Sequence, residues 1–148
     1  MILVLDSSAM IALLNGEPEG RLVRALLIQS DEEGEGEVYA HAVNLAEVFY
    51  NVMGRTDRAT AEAEIERLFS LGVRERRDLD GAFWRDVAAT IAAARALVSP
   101  DGTRAHLALG DAFGVVLANR LGADFVTKDR AEIEPLANLS LVSALFIR

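Results

Sequence analysis

The sequence predicts an α/β fold, a three-layer sandwich with a mostly parallel central sheet. Three observations carry the prediction. Short apolar runs of strand character alternate with longer stretches of helical periodicity along the whole chain. The first run, Ile2 to Leu5, is continuously apolar and ends on an acid, as suits a strand buried on both faces of a parallel sheet. Finally, 148 residues, 51% of them hydrophobic, suffice for one core, and no linker, repeat or low-complexity tail divides them. Residues 1–148 therefore read as a single domain.

The elements follow in order. After the first strand, Ser7 or Ser8 caps a short helix through Asn15, which Gly16 ends. Pro18, well placed for a first turn, opens a second helix to about Gln29. The acidic run Asp31 to Glu37 reads as a solvated loop and Val38 to Ala42 as a strand. Val43 to Met53 is helical, with Leu45, Val48, Phe49 and Val52 on one face, and Gly54 ends it. Thr56 begins another helix, whose apolar side carries Ile65, Leu68 and Phe69, and Gly72 closes it. Val73 to Arg77 reads as a strand, and Asp78 or Asp80 caps a long helix to about Val98. Phe83 and Trp84 at its start read as core. Ser99-Pro100-Asp101-Gly102 has turn chemistry. A helix from Ala105 to Leu121 stops at Gly122, Asp124 to Thr127 is a strand, Ala131 to Leu136 a short helix, and Leu139 to Ile147 a last strand.

Composition removes several functions. There is no cysteine, which excludes disulfide scaffolds, thiolate zinc sites and cysteine nucleophiles. His41 and His106 share no ligand spacing, so a zinc site is not expected, and neither histidine receives a role. A net charge of −8 argues against a simple basic-patch nucleic-acid binder. The run Asp31 to Glu37 alone holds five acids and no base. Lys128 is the only lysine, and the other 14 bases are arginines. No targeting segment or membrane span is visible, so a cytosolic protein is expected.

In an open parallel sheet, ligands bind at the carboxyl ends of the strands. Asp6 and Asp129 fall at such ends, although an acid after a strand is often only a helix cap. Two further acids interrupt apolar helices. Glu47 forms a polar stripe with Asn44 and Asn51 at i, i+3 and i+7, and Asp111 follows Leu109-Gly110. If these four acids share a site, they repel one another and raise one another's pKa unless a cation joins them. Oxygen-only donors select hard ions such as Mg²⁺ or Mn²⁺. Such an ion supports in-line attack of water on a phosphodiester.

Asp6 with Ser7-Ser8, Asn44-Leu45-Ala46-Glu47-Val48, Leu109-Gly110-Asp111-Ala112 and Phe125-Val126-Thr127-Lys128-Asp129 resemble, in order, the four motifs of the PIN domain. The resemblance spans Ile2 to Ile147, and short standalone members of that family are mostly similar to VapC, the toxin of toxin–antitoxin pairs. It implies a Mg²⁺-dependent endoribonuclease, Mn²⁺ being an alternative ion. Asp6 and Asp111 would be the principal ligands, and Glu47 and Asp129 would complete the cluster. Ser7 or Ser8, and Thr127, would orient it through their hydroxyls. The resemblance further implies an RNA substrate, a small antitoxin partner and a homodimer. The acidic run has no place in the motif set.

RNA must then approach an acidic protein, with Arg74, Arg76, Arg77 and Lys128 as candidate contacts. Most of these bases are expected to pair with neighbouring surface acids. Three other functions compete: a housekeeping PIN nuclease in RNA processing, a phosphoacceptor or aspartyl-phosphatase domain using Asp6, and a PIN fold kept for binding alone. Against the phosphatase, Ser8 stands where a second carboxylate is required.

Overall fold

The computed structural model describes residues 1–34, 36–98 and 100–148. Five short strands, β1 (Ile2–Leu5), β2 (Glu37–His41), β3 (Val73–Arg76), β4 (Asp124–Thr127) and β5 (Ala144–Phe146), form one sheet in the order β3-β2-β1-β4-β5. Every pairing in it is parallel, with Val4 opposite both Tyr39 and Phe125. The helices are α1 (Ser7–Leu14), α2 (Pro18–Glu33), α3 (Ala42–Arg55), α4 (Arg58–Ser70), α5 (Gly81–Arg95), α6 (Leu109–Leu121) and α7 (Arg130–Asn138).

The three layers follow from the two-residue period of β1. Leu3 and Leu5 point to one face and pack with residues of α1 to α4, such as Met10, Val23, Val48 and Leu68. Val4 points to the other and packs with Phe83 of α5, Val115 of α6 and Ile133 of α7. All three β1 side chains are fully buried. Each contributes about 1.5–3 kcal/mol relative to exposure, so the central strand is anchored from both sides. The chain builds outward from β1 through β2 to β3, then returns to β4 on the opposite side of β1. That reversal opens a crevice at the carboxyl ends of β1 and β4.

Several element ends differ from expectation, each because a specific group satisfies the backbone. Asp6, rather than Ser7 or Ser8, caps α1 through a bond from the Ala9 amide. Helix α2 continues through Glu33 to the left-handed Gly34, so Asp31 to Glu33 are helical and Glu37 begins β2. Only part of the acidic run is loop, and its Glu35 lies outside the described residues. His41 caps α3, which continues through Gly54 to Arg55. Thr56 donates its hydroxyl back to Val52 O, leaving Asp57 to cap α4. Of the two aspartates offered for α5, Asp80 is the cap.

Helix α5 stops at Arg95 because Val98 pairs with Arg104 in an isolated antiparallel bridge and the Ala105 amide donates to Leu97 O. Ser99 of the expected turn lies outside the described residues. The same bonds keep residues 105–108 out of α6. The last strand shrinks to Ala144–Phe146, since Leu139 caps α7 and Leu141 folds back onto Leu136 O. Phe83 is core as expected, but Trp84 is 48% exposed beneath the Arg85 guanidinium. No helix among the described residues is long and apolar enough to cross a membrane.

Candidate active site

Asp6 stands where β1 hands the chain to α1, and it is 1% exposed. Its Oδ1 accepts from Ser8 Oγ at 2.7 Å and the Ala9 amide at 2.8 Å, and its Oδ2 accepts from Thr127 Oγ1. Burial pushes its pKa up to about 6, although the bonds from Thr127, Ser8 and Ala9 oppose the rise and the Asp129 charge adds to it. Both oxygens are engaged and shielded, which is a poor state for an aspartate meant to attack a phosphoryl donor. The hydroxyls also tie the two strand ends together. Ser8 Oγ accepts from the Lys128 amide at 3.0 Å, and Thr127 Oγ1 accepts from the Asp129 amide at 2.9 Å.

Asp129 caps α7 by accepting from the Glu132 amide at 3.1 Å. Glu132 then reaches across to α6, where its Oε2 accepts from the Ala108 amide at 3.1 Å. Asp111 sits in the first turn of α6 and shares a hydrogen bond with Glu132. One carboxylate oxygen from each of Asp111, Asp129 and Glu132 lies within 4.8 Å of the other two. Burial first, the shared bond with Glu132 next, and then the charges of Asp6, Glu132 and Asp129 push the Asp111 carboxyl up to about 9. A carboxylic acid that stays protonated at neutral pH marks a cluster short of positive charge.

Glu47 approaches from α3. Ser7 Oγ donates to its Oε2 at 2.9 Å, and Asn44 Nδ2 lies 3.4 Å from its Oε1 and donates to Gly110 O at 3.0 Å. Its carboxylate presses on the first turn of α6, where a helix N-terminus favours negative charge. The fit depends on Gly110, at which a Cβ would stand 1.7 Å from Glu47 Oε1. Asn51, the third member of the polar stripe, does not reach Glu47, and its side-chain oxygen is buried without a partner.

The structure thus gathers Asp111 and Asp129 in one tight group, with Asp6 adjoining it through Thr127 and Glu47 on its flank through Ser7. Glu132 was not among the expected residues. Its signal was the Asp129-x-x-Glu132 spacing at a helix start, which reads equally well as a capping pattern. The candidate RNA contacts are all tied to acids: Arg74 to Glu37 at 3.9 Å, Arg76 to Asp78 at 2.9 Å, Arg77 to Glu75, and Lys128 to Glu17 at 2.9 Å. The three arginines also lie on or just beyond β3, an edge strand two places from β1.

Carboxylates with no nitrogen or sulfur donor among them suit a hard divalent cation, and the raised Asp111 shows the charge such an ion would balance. The residues fit one. Fold and site together define a doubly wound α/β domain with a carboxylate crevice at its switch point. The chain belongs to the PIN-domain family, whose model matches residues 3–137. No curated protein matches it. Among solved structures it is similar to VapBC2 from Rickettsia felis bound to a promoter DNA fragment, with a TM-score of 0.68 and 11% identity over 100% of both chains. It is similar to VapBC-1 from nontypeable Haemophilus influenzae, with a TM-score of 0.67 and 14% identity over 99% of this chain and 98% of that one. It is also similar to VapC20 from Mycobacterium tuberculosis, a sarcin–ricin loop cleaving toxin, with a TM-score of 0.63 and 15% identity over 86% and 90%.

Proposed function

We propose that this PIN domain is a divalent-cation-dependent endoribonuclease and the toxin of a toxin–antitoxin pair. The observation that carries the reading is the Asp111, Asp129 and Glu132 cluster, in which burial and crowding push Asp111 up to about 9. Family membership and the likeness to solved VapC proteins support it.

Asp111, Asp129 and Glu132, with Asp6 beside them, would hold Mg²⁺ or Mn²⁺. When bound, such an ion would supply positive charge at the phosphate and make water acidic enough to react near neutral pH. The remaining work falls to the chain. Asp6, locked by Ser8, Thr127 and the Ala9 amide, sets the spacing between the ends of β1 and β4. Glu47 is oriented by Ser7 and only loosely engaged at Oε1, which suits it to take the proton of the attacking water. As the new oxygen–phosphorus bond forms, the bond to the 3′ oxygen breaks and that oxygen takes up a proton. A small antitoxin is the partner that the VapBC likenesses favour, and the family resemblance adds a second copy of the chain.

Purified protein is expected to cleave RNA with Mg²⁺ or Mn²⁺ and to lose that activity on Asp111→Asn. A variant as active as the wild type would reject the assignment. Expression should arrest growth, with rescue by a gene adjoining its own. A housekeeping nuclease would instead be tolerated.

A further inference from the structure

Beside the acid cluster lies a groove of about 480 Å³, within the ~300–1,000 Å³ typical of small-molecule sites. One wall is the pair of extended segments joined at Val98 and Arg104, and the other is α7 with Leu139 at its end. Its lining is mostly aliphatic, with the His106 ring among it. Val98 and Leu139 are each more than half exposed, at 56% and 55%. Exposed aliphatic side chains gathered in a concave surface are candidates for contact with a partner.

Two features give the groove a direction. Glu132 belongs to it and to the acid cluster at once, and the same carboxylate holds the Ala108 amide at the end of the groove wall. A ligand in the groove is therefore continuous with anything bound at the acids. Arg104 is the second feature. Unlike Arg74, Arg76, Arg77 and Lys128, it has no ion pair and no side-chain hydrogen bond among the described residues. An unpaired guanidinium beside an apolar slot, next to a site for a phosphodiester, matches the needs of a nucleotide. The base wants an apolar or aromatic surface to stack on, and its phosphate wants a planar donor.

We infer that this groove seats an unpaired base of the RNA strand next to the scissile phosphate, with Arg104 on a neighbouring phosphate and His106, Val98 and Leu139 around the base. The inference rests on the proposed ribonuclease reading. It makes the substrate single-stranded at the cut and places base preference in Leu97, Val98, residues 103–106 and α7, outside the acids.

The test uses the full chain, a mixed-sequence single-stranded RNA oligonucleotide, and two variants, Arg104→Ala and Leu139→Asp. Both positions are exposed, so folding should survive. In each, KM for RNA should rise about tenfold, while the Mn²⁺-induced rise in melting temperature keeps its wild-type size. Arg104→Ala should also reduce the salt dependence of binding by roughly one counterion. Unchanged KM, as expected if the groove instead takes an apolar peptide, would overturn the inference. So would loss of the Mn²⁺ shift along with the rise in KM, which would mean these residues only prop Glu132. A wild-type protein that cleaves no RNA with either ion would instead reject the nuclease reading itself.

Discussion

At Gly110 the chain has no room for a side chain on the side that faces Glu47, because a Cβ there would stand 1.7 Å from Oε1. The obstructed atom is the tip of a flexible side chain, so the backbone has no need to move. Alanine also suits a helix better than glycine, by about 1 kcal/mol. Gly110→Ala should therefore fold with stability within about 1 kcal/mol of wild type and still lose most of its activity, because Glu47 must turn away. Denaturant titration beside an RNA cleavage assay checks both halves; a variant destabilised and inactive in proportion would contradict the argument. Single residues differed in how far the sequence exposed them. Asp6, Asp111 and Asp129 were legible because an acid at a strand end or inside an apolar helix demands an explanation. Glu132 was not, since a glutamate in the first turn of a helix already has one in the capping pattern and the helix dipole.

Helix starts show the same division at the scale of the element. Some glycine stops could be read directly, as at Gly122, where a positive φ of 62° favours glycine, although Gly54 proved not to end α3. Starts were harder, because several polar side chains competed for each one. Histidine is the instructive case. His41 Nδ1 accepts from the Val43 amide at 3.0 Å and thereby caps α3, while Nε2 donates to Asp78 O at 2.8 Å. Its ring stacks on Phe83 at 5.3 Å and meets Phe113 at 5.0 Å. Nothing in the sequence marks this, since His41 ends β2 while its partners come from α3, the loop after β3, α5 and α6. His41→Ala removes a cap worth about 1 kcal/mol and leaves a cavity among two aromatic rings. We expect a total loss of about 2–4 kcal/mol, read from chemical denaturation. A loss below 0.5 kcal/mol, the range of ordinary surface substitutions, would show that the ring is not holding α3 in place. The start of α6 was misplaced for a related reason: the groups that hold residues 105–108 extended are Leu97 O and Glu132, both distant in sequence.

For the molecule as a whole, burying carboxylates at the crevice has a consequence for how stability depends on pH. Asp6 and Asp111, pushed up to about 6 and about 9, keep protons in the folded state over a range where the unfolded chain, near 3.8, has released them. The folded state then binds more protons, so stability falls as pH rises through that range. The Asp6 part is on the order of 3 kcal/mol, lost between about pH 4 and 6. The melting temperature of metal-free protein should decline from pH 5 to 9. Asp111→Asn should remove the decline above about pH 6, and Mg²⁺ should flatten the curve by taking the place of the protons. A metal-free curve that is level or rising would contradict this. The parallel α/β architecture was legible from one apolar strand and the alternation of elements, because burial on both faces leaves a mark in the sequence. The position of the charges was not, because ion pairs such as Lys128 with Glu17 join residues far apart along the chain. The strand order has a consequence in time as well as in space. Asp6 leaves the ribosome ahead of Thr127, which follows 121 residues later, and its second oxygen finds a donor only then. Until β4 has emerged, the two halves of the crevice cannot meet, so a growing chain carries no assembled carboxylate crevice.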